Sequence, residues 1–218
     1  MKRAIKASEL AVADTAARQG GLITRSQALA AGMTYGALRH KIGVGARWQI
    51  VLSGVYREGT GPLTAGQREI AAVLFAGHGA VITGSSALAR QGVWVPPPEV
   101  VDVLIPHEFR CRSAGFVQVH RTIRMPQAPV LIDCLLWAPP ARAVAGAVRG
   151  DCALREVRAL VANAVQRDAC TVPQLAAELR DGPSQGSKGL RLALEEVADG
   201  IASVAEGDPR AGQEGRPA

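Results

Sequence analysis

Aromatic side chains are scarce, at 4% of 218 residues, so a core has to be built from Leu, Val, Ile and Ala within the 48% that is hydrophobic. Long apolar runs are missing. The longest, "IAAVLFAGHGAVI", falls well short of the roughly 20 residues that span a bilayer, and its glycines and His78 interrupt it. No membrane partner is expected. The basic start "MKRAIKASELAVADTAARQG" has Glu9 and Asp14 where an export signal needs an apolar stretch, so secretion is not expected either. Close cysteine pairs are absent too: Cys111, Cys134, Cys152 and Cys170 are far apart. They read as reduced thiols, mostly in the core of a cytoplasmic protein.

Acid is lacking at one end only. Residues 1–60 hold nine Lys and Arg against three Asp and Glu, which is the whole net charge of +6; the remaining bases and acids cancel. An excess confined to one module points to a polyanionic partner for that module.

The order of local signals explains where the charge goes. Residues 8–18 fit an amphipathic helix stopped by Gly20-Gly21. Leu22-Ile23 is a short apolar piece. Thr24 and Gln27 form a capping box for a helix over about 25–31, ended by Gly32. Thr34 caps a third helix over about 35–42, and "RWQIVLSGVYR" reads as a two-stranded hairpin. Helix, helix, tight turn, helix and hairpin within some 50 residues make a winged helix-turn-helix. Beyond the Gly-rich joint "EGTGPLTAG", Thr64 and Gln67 cap a helix closing at Gly77. A short strand and helix follow in "AVITGSSALARQG". "VVDVLIP" and "FVQVHRTI" alternate as strands around a polar turn, "HEFRCRSAG", and are expected to form a hairpin. Helices are expected over 152–168, after Thr171/Gln174, and in "LRLALEEVADGI". The fold class expected is therefore α+β: a winged helix at 1–60, a mixed α/β domain with a small antiparallel sheet and C-terminal helices at 61–200, and a disordered or truncated tail at 201–218.

On the third helix Tyr35, Leu38 and Ile42 fall together and should pack against Leu29 and the first helix. Gly36, Arg39 and His40 face outward, with Lys41 at the flank. A small residue beside Arg and His lets backbone approach a groove floor, and the Arg39 fork matches guanine in the major groove. Thr34 stands at the helix start, where backbone N–H groups can meet a phosphate. Arg25 and Ser26 begin the preceding helix, which lies over the DNA backbone in such motifs, and Arg47 sits at the base of the wing. The candidate DNA-binding set is Arg25, Ser26, Thr34, Tyr35, Gly36, Arg39, His40, Lys41 and Arg47. The competing reading is that Arg39, His40 and Lys41 merely complement the helix dipole, at about 0.3–1 kcal/mol each. Trp48 and Tyr56 are assigned to the core.

"GLITRSQALAAGMTYGALRHKIGVGARWQIVLSGVYR" resembles the winged-helix N-terminal domain of AbiEi-type antitoxins from type IV toxin–antitoxin systems. The likeness continues through "GHGAVITGSSALARQG", "VQVHR", "APPARAV" and "EVRALVANAVQRDACTVPQLAAEL" to "SKGLRLALEEVADGIASVAE", nearly the whole chain to about residue 206. It implies a DNA-binding regulator that represses its own operon, with double-stranded DNA as partner and a toxin of nucleotidyltransferase type and a homodimer as further ones. Two departures stand out. The wing tip Leu52-Ser53-Gly54 has no base. Relatives of this kind often continue from "SVAE" into a nuclease-like domain similar to very-short-patch-repair endonucleases, in which the Glu matching Glu206 opens the site. Here twelve residues follow it, so the expectation is a truncated or frameshifted tail, with Ser203 and Glu206 as the cap of an abortive helix.

Enzyme chemistry is not expected. His107, Cys111 and His120 lack the paired short spacing and the fourth ligand of a zinc site. "TGSSALA" is no nucleophile elbow. "GHGAVITG" follows a helix instead of linking a strand to one, which excludes a phosphate loop, and no cofactor is expected. Asp102 and Asp133 are expected to cap turns or pair with arginines. Two alternatives to the regulator remain: an antitoxin acting mainly on a partner toxin through its second domain, and a catalytically dead remnant of a DNA-targeting nuclease.

Overall fold

The computed structural model describes residues 2–43, 45, 47–150 and 152–206, with side chains described from residue 7 to residue 197. Helix α1 spans Lys2–Arg18 and buries Val12 and Ala16, one turn apart. Strand β1 (Leu22–Thr24) leads into α2 (Arg25–Ala30), and α3 (Tyr35–Lys41) follows a turn at Gly32, whose φ of +87° suits glycine. The Thr24/Gln27 box is closed in both directions, with Gln27 N donating to Thr24 Oγ1 at 3.1 Å and Thr24 N to Gln27 Oε1 at 2.9 Å. Thr34 Oγ1 accepts from Ala37 N at 3.2 Å and starts α3. Strands β2 (Trp48–Leu52) and β3 (Val55–Glu58) form the hairpin, and β3 also pairs antiparallel with β1, giving the order β1-β3-β2. The unit is a winged helix-turn-helix.

Neighbouring strand residues point to opposite faces, and this sheet uses both. Ile23, Trp48 and Tyr56 join Val12, Ala28, Met33 and Leu38 in a small core under the three helices. Leu22, Leu52 and Val55 face the other way, into the large core of the rest of the chain. There α4 (Ala65–Ala76), started by the Thr64/Gln67 box and ended at Gly77, lies against all three strands.

A second sheet has the order β6-β5-β4-β8-β7, from β4 (Val81–Thr83), β5 (Val101–Pro106), β6 (Val117–Thr122), β7 (Val130–Ile132) and β8 (Leu135–Trp137). Its core centres on Ile82, Val103 and Trp137, all at 0% exposure. Helix α5 (Gly84–Arg90) packs on α6 (Pro140–Ala147); α6 meets α7 (Leu154–Gln166) and α8 (Val172–Asp181), and both of these meet α9 (Lys188–Glu206). On α7 the inward face carries the buried Val157, Val161 and Ala164.

Several expectations are corrected. The strands β5 and β6 are not a hairpin but a parallel pair, in register from Val101↔Val117 to Pro106↔Thr122. Residues 107–116 run back the length of a strand, a reach that ten residues at roughly 3.3 Å each easily cover. Tyr35 and Leu29 do not complete the small core: they are 62% and 36% exposed, and Ala28 and Met33 fill the place instead. The helices α2 and α3 have only six and seven residues, so each presents little more than one inward position, taken by Ala28 and Leu38. Of the four cysteines only Cys170 is buried, while Cys134 and Cys152 are exposed. Ser203 and Glu206 lie within α9 itself, a position inconsistent with a cap. The rest of the expected tail, 207–218, lies outside the described residues. Asp133 pairs with Arg90 as expected, whereas Asp102 takes His120 Nε2, 2.6 Å away on the neighbouring strand, in place of an arginine.

Candidate nucleic-acid interface

The third helix divides its side chains sharply. Leu38 is 2% exposed and locked into the small core, while Gly36, Arg39 and His40 on the same short helix are exposed. Among the described residues the side chains of Arg39 and His40 make no hydrogen bond or ion pair. A Cβ at Gly36 would meet nothing within 4 Å, so this face is open to a large flat partner.

Arg25 comes to the same place from α2. Its Nε donates to the Tyr56 hydroxyl at 3.1 Å, and that bond raises the guanidinium pKa above its ordinary value, keeping the charge fixed. Arg25, Tyr35 and Arg39 with Leu38, Ile42 and Tyr56 line a shallow depression of about 250 Å³. The exposed Tyr35 is thus a wall of the site instead of a core residue. Ser26 is exposed beside Thr24, its hydroxyl 2.9 Å from Thr24 Oγ1. Thr34 spends its hydroxyl on the α3 cap but remains exposed.

Two candidates stand apart. Lys41 turns toward the first helix and the wing: its Nζ lies 3.4 Å from Glu9 and 5.6 Å from the centre of the Trp48 ring. An exposed pair of this kind contributes about 0–1 kcal/mol, but it directs the charge away from Arg39. Arg47 is exposed at the end of the hairpin remote from the turn, where its carbonyl accepts from Gly59 N at 2.8 Å. The turn itself is only Ser53-Gly54, and Gly54 O accepts from Arg25 N at 2.8 Å, tying the wing tip to the start of α2.

The residues missed from sequence are Tyr56, whose hydroxyl positions Arg25, and Arg57. Arg57 is buried and donates to Gly61 O at 2.8 Å, Pro62 O at 3.0 Å and Gln67 Oε1 at 3.2 Å. A β-strand Arg-Glu pair gives no local sign of either role. The tempting trio is dispersed: His107 meets Glu108, Cys111 meets the Phe75 carbonyl, and His120 meets Asp102. Among the described residues no three His, Cys, Asp or Glu side chains gather as metal ligands.

Fold and site together define a winged helix-turn-helix fused to an α/β domain. In fold the chain is similar to the crystal structure of the RV2827C protein from Mycobacterium tuberculosis, with a TM-score of 0.52 and 17% identity over 94% of this chain and 83% of that one. No family model and no curated protein matches the sequence.

Proposed function

We propose that this protein is a DNA-binding transcriptional regulator of antitoxin type, holding operator DNA through its winged helix and autoregulating its operon from the cytoplasm. The observation that carries the reading is the division of α3: Leu38 anchored inward, Arg39 and His40 exposed and, among the described residues, unpaired, with Arg25 held alongside by Tyr56. A purely structural, dipole-complementing role for these bases leaves the clustering of Arg25 and Arg39 around one depression unexplained. One winged helix covers little DNA, so a homodimer on an inverted repeat fits best.

Four or five phosphate contacts would give a log–log salt slope near −4, at ~0.9 per phosphate. In selection of bound sequences from a random pool, Arg39→Ala should flatten the preference at one base position by about 1–3 kcal/mol while binding persists. An unchanged preference would remove Arg39 as the reader.

A second reading has its own observation. Trp94, 69% exposed, stands with Val95, Pro96 and Leu160 on a largely apolar cleft of about 380 Å³ in the second domain. Such a patch suits a protein partner, and the resemblance to AbiEi antitoxins makes a nucleotidyltransferase-type toxin the one to try. Among the described residues no helix is long and apolar enough to cross a membrane.

A further inference from the structure

The wing turn Ser53-Gly54 carries no base, yet a second-domain loop stands next to it. Residues 107–116 have to run back past β5 because β5 and β6 are parallel. That return brings them to the wing at one point and to α4, which packs on the front sheet, at another. A side chain at Gly115 would come within 3.2 Å of Leu52 Cδ2, at the end of the wing strand. The Cys111 thiol faces the Phe75 carbonyl, at 3.9 Å, near the end of α4. Phe75 in turn lines a cleft of about 430 Å³ shared with Arg25, Ser26, Ser53 and Gly54. With Cys111 turned inward, its neighbours Arg110 and Arg112 are exposed, and among the described residues neither side chain has an ion pair or hydrogen bond. The nearby Glu108 lies 3.2 Å from His107 Nδ1.

We infer that Arg110 and Arg112 act as a surrogate wing, extending the DNA face beyond Ser53 and binding backbone phosphates of the same duplex that α3 reads. The inference rests on the DNA-binding function proposed above. Charge complementarity gives the partner. Arg110 and Arg112 are exposed and, among the described residues, without acidic partners. They flank the Cys111 that meets Phe75, Phe75 shares a cleft with Arg25 and the wing turn, and exposed bases so placed suit a phosphate track. Such contacts position without specifying, so their loss should weaken all sequences alike.

The test uses the full chain and a random-sequence 30-base-pair DNA duplex, with affinity measured from 50 to 200 mM KCl. The double variant Arg110→Ala/Arg112→Ala should lower the salt slope by about 1.8, two contacts at ~0.9 each, and weaken binding roughly tenfold or more. Adding Ser53→Lys to it should restore about 0.9 of the slope, because a base on the neighbouring wing turn meets the same duplex. The double variant should keep the wild-type unfolding midpoint in urea, which damage to the loop would lower. A double variant with the wild-type slope, or a lowered slope that Ser53→Lys leaves unchanged, overturns the inference while the parent function stands. A wild-type protein with no salt-dependent binding overturns both.

Discussion

At the scale of single residues, Arg57 shows how a charge can be structural. It is 6% exposed, and no carboxylate approaches it among the described residues. Three oxygens receive it, those of Gly61, Pro62 and Gln67, and Gln67 also donates to Gly20 O at 2.9 Å. One guanidinium therefore ties the end of the wing to the segment that starts α4. Arg57→Ala should cost about 2–3 kcal/mol, the loss of hydrogen bonds from a charged group plus acceptors left behind. With a urea dependence of roughly 2 kcal/mol/M, the unfolding midpoint would fall by about 1 M. A midpoint shift below a few tenths of 1 M would mean that water replaces the guanidinium without loss. Arg39 is the contrasting case: among the described residues its side chain makes no hydrogen bond or ion pair, and its exposed place on the face of α3 away from Leu38 is legible from sequence. Arg57 was not legible, because its partners lie in a turn whose path no local pattern specifies.

At the scale of elements, what could be read was what depends on a few adjacent residues. All three Thr-x-x-Gln boxes close as expected, at Thr24, Thr64 and Thr171, because a cap is a contact between residues three apart. Strand pairing is different. Alternation marks β5 and β6 as strands but says nothing about which neighbour each takes, and a polar segment between them looks like a hairpin turn whichever way the chain returns. The hairpin β7–β8 leaves no turn signal in the sequence, for a chemical reason. Its two-residue turn is Asp133-Cys134, with φ of 48° and 63°, where the recognisable signal would be Asp-Gly. A left-handed cysteine is strained by about 1–2 kcal/mol, offset in part by the pairing of Asp133 with Arg90. Cys134→Gly should therefore raise stability by about 0.5–1 kcal/mol net of the added freedom of the unfolded chain. A lower melting temperature for that variant would show that the cysteine makes a contact worth more than its strain.

At the scale of the whole molecule, the front sheet belongs to two cores at once, and this decides whether the winged helix is an independent module. Leu22, Leu52 and Val55, each 6% exposed or less, are covered by α4 and the second domain, while Ile23, Trp48 and Tyr56 on the opposite face cover the three front helices. Exposing three such aliphatic side chains costs about 1.5–3 kcal/mol apiece, a total comparable with the roughly 5–15 kcal/mol that stabilises an entire domain. A boundary at residue 60 is thus visible in composition, where the Gly-rich joint and the end of the charge excess coincide, but the energetic boundary is not there. Residues 1–60 expressed alone should fail to show a cooperative melt, and the full chain should unfold in one calorimetric transition with van't Hoff and calorimetric enthalpies that agree. Two separated transitions, or a folded 1–60 fragment, would show that the shared sheet does not couple the halves. If they are coupled, Arg110 and Arg112 are held in fixed register with Arg39, and a loop from the second domain can follow the duplex that the front helix is proposed to read without the cost of being brought there.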